Sequence, residues 1–170
     1  MCIRDSGLCR IALDKLKKTY EQDIQEKNIR IIFDNLTLSL MMEVNVEQFS
    51  KVLAGILKNS MYALLKKSET VTFSPEIFLG LKVNKDMLEI TIRDNGSGID
   101  ENIKDKIFAP FFTTKTTGEA AGVGLYLCRE IVQNHRGTIE VESKKGEYTQ
   151  FLITIPVYQP KTITPPKEEE

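Results

Sequence analysis

Two stretches of strict alternation, each broken once by turn chemistry, limit the folds open to this chain. Ile77, Leu79, Leu81 and Val83 alternate with other residues, Asn84-Lys85-Asp86 interrupts them, and Leu88, Ile90 and Ile92 then alternate with Glu89, Thr91 and Arg93. A period of two gathers one set of side chains on one face of a sheet, so the pair reads as a hairpin. Segments 138–143 (TIEVES) and 148–157 (YTQFLITIPV) have the same form around Lys144-Lys145-Gly146-Glu147. Short strands are also expected at 30–34 and 39–44, where apolar residues flank Asp34 and Asn35.

Helical spacing fills the intervals. Leu8, Ile11, Ala12, Leu16, Tyr20 and Ile24 recur among charged residues, which predicts an amphipathic helix ending near Asn28. Asn45 followed by Gln48 has the form of an N-terminal cap, and the helix it opens should run to about Lys67. Phe49, Val52, Leu53, Ile56, Ala63 and Leu64 form its stripe, with Asn59 and Ser60 in the middle. A short helix is expected from Asn102 to Ile107 and another from Gly122 to His135. Hairpins interleaved with helices, without strict β-α-β alternation, predict an α/β fold: a two-layer sandwich whose one mixed sheet carries helices on one face.

The chain has 170 residues, room for one domain on the prior of roughly 100–200 residues each. A net charge of −1 gives no electrostatic reason to expect nucleic acid or an anionic membrane as partner. The 3 cysteines, Cys2, Cys9 and Cys128, lack C-x-x-C spacing and support neither a disulfide framework nor a zinc site, which suits a cytoplasmic setting. No apolar run has the length of a membrane span. Residues 1–7 (MCIRDSG) fit no following pattern and are expected to be a non-native or unstructured leader, 8–157 the domain, and the Pro- and Glu-rich 158–170 a disordered tail or linker.

Between Asp94 and Cys128 the composition changes: DNGSGID at 94–100, then FAPFFTTKTTGEAAGVGLYLC at 108–128. Asp94 closes a strand before Asn95-Gly96-Ser97-Gly98, so a planar base with an amino group could lie on the glycines and donate to the carboxylate. Asp-Asn-Gly is equally ordinary turn chemistry, and alone it does not decide. Asn59 is an amide in an apolar stripe and needs a partner, either a phosphate-bound Mg²⁺ or a backbone carbonyl. Gly122-Val123-Gly124-Leu125 opens a helix, whose N-terminal N–H groups attract anions. Lys115 lies on the preceding run, where it is a solvated lysine or a point charge for a terminal phosphate. Phe108, Phe111 and Phe112 read as packing under a loop.

Their order along the chain, N-x-x-x-A at Asn59–Ala63, D-x-G-x-G at Asp94–Gly98, F-A-P-F-F-T-T-K and then G-V-G-L, resembles the N, G1, F and G2 boxes of the histidine-kinase catalytic ATP-binding domain. The resemblance runs from about Leu8 to Val157, including HRGTIEVES and Thr149-Gln150-Phe151. It implies the Bergerat-type α/β sandwich, with an ATP lid between the F and G2 boxes. It further implies that Asn59 ligates Mg²⁺, that Asp94 recognises the adenine amino group, that Gly96 and Gly98 line the base pocket, that Ala63 lies against the nucleotide, and that Ile99 and Thr114 belong to the nucleotide-binding set. Lys115 would then approach the terminal phosphate, and Gly122, Val123, Gly124 and Leu125 the phosphates. ATP and Mg²⁺ are the implied cofactors. The implied partners are a dimerisation domain bearing the phosphoacceptor histidine and, downstream, a response regulator.

Three departures qualify the resemblance. Gly55 stands where these kinases often have a second Asn and where gyrase- and chaperone-type relatives carry a water-activating Glu, which argues against efficient hydrolysis. Ala120 and Ala121 replace the usual Gly-Thr, which should stiffen the lid and remove a hydroxyl. His135, the only histidine, matches a structural position, so the acceptor must lie elsewhere. A nucleotide-dependent interaction module without catalysis, or an anti-sigma-type protein serine kinase, is the alternative. The full FAPFFTTK box argues against the latter.

Overall fold

The computed structural model describes residues 2–34, 41–43, 45–115 and 121–157, with only the backbone for 2–8 and 41–43. Its elements are β1 (Cys2–Arg4), α1 (Asp5–Thr19), α2 (Glu21–Glu26), β2 (Arg30–Asp34), β3 (Met41–Glu43), α3 (Val46–Ser68), β4 (Glu76–Asn84), β5 (Met87–Asp94), α4 (Glu101–Lys104), α5 (Gly124–Asn134), β6 (Thr138–Lys144) and β7 (Tyr148–Pro156).

Both expected hairpins form, β4 with β5 and β6 with β7, and β5 pairs with β7 to join them. β2 lies parallel to β4, because the chain crosses over through α3 between them. The result is a mixed five-stranded sheet in the order β2-β4-β5-β7-β6. α1, α3 and α5 form the second layer, with α3 in contact with both its neighbours. Inward residues of the sheet (Ile77, Leu79, Leu81, Leu88, Ile90, Ile92, Phe151, Ile153, Ile155) share one core with Leu13, Leu16, Phe49, Leu53, Ile56 and Val132 of the helices. The two-layer α/β sandwich with a mixed sheet is thus present.

Several boundaries differ from the sequence expectation. Residues 2–4, expected to lie outside the fold, form β1 and pair antiparallel with β3, and α1 begins at Asp5. The first helix is two helices, because Thr19 donates its hydroxyl to the Lys15 carbonyl at 2.8 Å and Tyr20 leaves helical geometry. The Tyr20 N–H still reaches Leu16 O and the Ile24 N–H Tyr20 O, so the joint is a kink. α4 ends at Lys104, since Lys106 and Ala109 bond back three residues in tight turns. α5 starts two residues late because Gly122 has φ +71°. The ends of the strand expected at 39–44, residues 116–120 of the expected lid and the tail 158–170 lie outside the described residues.

α3 begins as its cap motif requires: the Asn45 side chain accepts the Gln48 N–H at 3.1 Å. The Asn45 N–H in turn donates to His135 Nε2 at 2.9 Å, while His135 Nδ1 lies 2.7 Å from the Ile131 carbonyl and the ring meets Phe49 edge-on. Nδ1 therefore carries the proton, and His135 ties the end of α5 to the start of α3. His135→Ala is expected to lower stability by about 1–2 kcal/mol, read from the urea midpoint. An unchanged midpoint would mean that water replaces the imidazole at no loss.

Candidate functional site

β5 carries the inward series Leu88, Ile90, Ile92 one step further to Asp94, its last residue. The carboxylate therefore faces α3 and is 2% exposed. Burial pushes its pKa up to about 6, despite opposing help from Ser60, the Gly96 N–H and the Lys67 ammonium. The Gly96 N–H donates to Asp94 Oδ1 at 3.0 Å. Ser60, 1% exposed, lies near enough to lower the Asp94 pKa, yet its hydroxyl completes no hydrogen bond of good geometry. Thr149 is buried directly across from Asp94 in the β5–β7 register, with its hydroxyl 3.1 Å from Ser143 Oγ. Buried polar groups are nearly always paired, and Asp94 with Ser60 makes a polar spot in an otherwise apolar layer between β5 and α3.

The two glycines of D-x-G-x-G do different work. A Cβ on Gly96 would stand 2.7 Å from Ala63 Cβ and 2.8 Å from Asp94 Oδ1, so its bareness lets the strand end meet α3 beside the carboxylate. The Ser97 N–H then donates to the Ala63 carbonyl at 3.2 Å. Gly98, at φ +64°, presses on the β6–β7 turn, where a Cβ would stand 2.2 Å from Lys144 O. Its neighbours bond to that hairpin as well, Ser97 O accepting from the Gly146 N–H and the Ile99 N–H donating to Ser143 Oγ. Asn95 points away from Asp94, accepting the Glu76 N–H at 2.8 Å and donating to Ser74 O at 2.8 Å.

On α3 the column Gly55, Asn59, Ala63 is half-buried and runs along one flank. Gly55 meets α5, where a Cβ would come within 3.2 Å of Cys128 Sγ, while Ala63 meets Gly96. Asn59 lies between them, about 6 Å along the helix from each. It borders the apolar stripe instead of occupying its middle, where Ser60 sits.

The segment after α4 returns to that flank. Phe108 is buried edge-on against Phe151, and Phe112 packs on the core, whereas Phe111 is 79% exposed at φ +65°. Of the three rings, only Phe111 departs from the expected packing role. Gly122 closes on the Phe111 backbone, to which a Cβ would approach within 2.5 Å. Thr114 is exposed, and Thr113 Oγ1 accepts the Lys115 N–H at 3.1 Å. The Lys115 ammonium donates to Asn59 Oδ1 at 3.0 Å and lies 4.4 Å from the centre of the Tyr62 ring. Val123 caps α5, Gly124 faces open space, and Leu125 packs on the core.

Asn59, Ala63, Asp94, Gly96 and Lys115 thus gather around one flank of α3. Gly98 and Ile99 serve the turn behind Asp94, and Gly122 serves the loop. Sequence reasoning singled out neither Lys67, Tyr62 and Ser143 nor any site role for Ser60 and Thr149. For Ser60 and Thr149 the signal was a polar residue in step with an apolar series, on α3 and on β7.

The family model for histidine kinase-, DNA gyrase B- and HSP90-like ATPases matches residues 45–159. The chain belongs to this family. Nucleotide binding is the property its ATPase fold implies. Cyanobacterial phytochrome A of Nostoc sp. is 35% identical over 149 residues, which are 86% of the chain and 18% of that protein. The sensor histidine kinase ZraS of Salmonella typhi is 29% identical over 136 residues, 80% of the chain and 28% of that kinase. A nucleotide-free catalytic domain of the histidine kinase ThkA superposes with a TM-score of 0.73 at 27% identity, covering 92% of this chain and 94% of that one. The chain spans 18% and 28% of the length of these two curated relatives. No helix among the described residues is long and apolar enough to cross a membrane.

Proposed function

We propose that the chain is the catalytic part of a sensor histidine kinase, binding ATP with Mg²⁺ and passing the terminal phosphoryl group to a histidine on a separate helical dimerisation domain. A response regulator would take the phosphoryl group next, and the cytoplasm would supply the ATP. The observation that carries this reading is the buried Asp94 beside bare Gly96 and the buried Ser60. A carboxylate held at a loss inside the protein suits an amino group on a planar base, which stacks where side chains are missing and donates to it.

Mg²⁺ fits the other end of the flank. Asn59 Oδ1 already accepts a cation, the Lys115 ammonium, and a hard cation seeks such an oxygen. When bound there, the metal supplies charge neutralisation on the phosphates. Asn59 would hold it, Lys115 would turn to the terminal phosphate, and the N–H groups at Gly124 and Leu125 would face the phosphate chain. Gly55 lends no base for activating water, and the Cys128 thiol, pushed up to about 11 by burial, is no substitute. That favours transfer to a protein acceptor over hydrolysis.

With γ-labelled ATP, Mg²⁺ and a supplied dimerisation domain, acid-labile, base-stable label is expected on that domain's histidine. ATP binding without transfer would sink the kinase reading and leave a nucleotide-dependent interaction module. Asn59→Ala is expected to weaken ATP binding by about tenfold with Mg²⁺ present and little in chelator, measured by calorimetry. Equal losses in both conditions would remove Asn59 as the metal ligand.

A further inference from the structure

Lys115 reaches the flank from a loop, and two groups on α3 receive it. Asn59 Oδ1 accepts its ammonium at 3.0 Å, and the Tyr62 ring lies 4.4 Å from the same nitrogen. Tyr62 follows Asn59 by three residues, so both sit on one side of the helix a turn apart. One oxygen cannot hold an ammonium and a divalent ion together, since Mg²⁺ takes its ligands at roughly 2.0–2.1 Å and repels a second cation. Lys115 must therefore leave Asn59 whenever the metal arrives. A long loop lysine released from Asn59 Oδ1 keeps its place only as far as the groups around it restrict its rotamers. The aromatic face holds it without using any oxygen that metal or phosphate requires.

We propose that Tyr62 is a positioning residue for the phosphate end of the site: its ring keeps the Lys115 ammonium beside the phosphates while Asn59 exchanges that ammonium for Mg²⁺. The inference rests on the ATP and Mg²⁺ reading above. It assigns Tyr62 no contact with nucleotide. The quantity it governs is the preference for ATP over nucleotides lacking the terminal phosphate.

The experiment compares ATP and ADP affinity by calorimetry, with Mg²⁺ present, for the parent chain, Tyr62→Leu, Tyr62→Phe, Lys115→Ala and the Tyr62→Leu/Lys115→Ala double variant. Tyr62→Leu is expected to weaken ATP binding about 3- to 10-fold and to leave ADP binding within about twofold. Tyr62→Phe should match the parent, because the ring and not the hydroxyl holds the ammonium. The double variant should lose no more than Lys115→Ala, since the ring acts only through the lysine. Equal losses for ATP and ADP, additive losses in the double variant, or a phenylalanine variant that behaves like leucine would each overturn the proposal. A second readout survives poor folding of the leucine variant. In the nucleotide-free parent, the Lys115 ε-methylene protons should be shifted upfield by the Tyr62 ring, and random-coil shifts there would overturn the proposal too. If the parent binds ATP in an Asp94-dependent way but the Tyr62 arms fail, only this inference falls. If the parent binds neither nucleotide, the reading beneath it falls as well.

Discussion

Asp94→Asn is expected to melt at a higher temperature than the parent chain while binding ATP roughly 100-fold or more weakly, a loss on the scale of a missing charged hydrogen bond plus a misplaced donor. Both effects come from one atom. In the parent, the Gly96 N–H occupies Oδ1, and in the proposed site the other oxygen meets the base amino group. An asparagine must turn its NH₂ either toward that amino group or toward the Gly96 N–H, and either choice sets donor against donor. Without nucleotide the exchange is favourable. Burial pushes the Asp94 pKa from 3.8 up to about 6, so ionising it at neutral pH costs about 3 kcal/mol, of which the amide should recover roughly 1–3 kcal/mol. The sign follows from proton uptake. Between about pH 4 and 6 the folded state holds this proton more tightly than the unfolded chain. The parent should therefore lose stability as pH rises through that window, and the asparagine variant should lack the loss. Melting curves from pH 4 to 8 for both proteins, with ATP calorimetry at pH 7, test the pair of effects. An asparagine variant that melts lower at pH 7 would show that the carboxylate serves the fold.

Why the fold was legible follows from its periodicities. The inward series 77-79-81, 88-90-92 and 151-153-155 each survive as one face of the sheet, because a slip of one residue would put every one of those side chains in water. The cap at Asn45 was legible because its signal is local. Parallel pairing of β2 with β4 was not, since no residue in either strand encodes its direction. The kink at Tyr20 turns on one rotamer of Thr19, and β1 on its pairing with β3, a contact remote in sequence. Motif spacing singled out Asp94, Asn59 and Lys115, which the fold brings to one flank of α3, whereas the apposition of Lys115 with Tyr62 depends on how a loop folds back onto α3. Gly55 shows the same limit. Its sequence context reads as a missing catalytic side chain, and only the packing adds that the Cys128 thiol fills the space a larger residue would need.

Glycines that look alike in the motifs should separate sharply on substitution. Gly98→Ala is expected to lower stability by roughly 3–5 kcal/mol with no nucleotide present, combining left-handed strain, overpacking and broken hydrogen bonds. The added Cβ would stand 2.2 Å from Lys144 O, 2.8 Å from Lys144 C and 2.9 Å from Lys145 Cα, all backbone atoms that no rotamer change can move. Retreat is blocked too: Ser97 O accepts the Gly146 N–H at 2.7 Å, and the Ile99 N–H donates to Ser143 Oγ at 2.8 Å, on either side of Gly98. Relief thus requires breaking one of those bonds or opening the end of the β6–β7 hairpin that stands across from Asp94. Gly124 offers the contrast. It opens α5 with nothing within 4 Å of its would-be Cβ, so alanine there should hold or raise stability by up to about 1 kcal/mol. Any loss in that variant should appear only when phosphates need to approach the helix end. Urea unfolding of both variants, with and without ATP, separates a glycine that the fold requires from one that a ligand requires. A Gly98→Ala protein as stable as the parent would mean that the turn yields, and that the motif's second glycine is kept for the base after all.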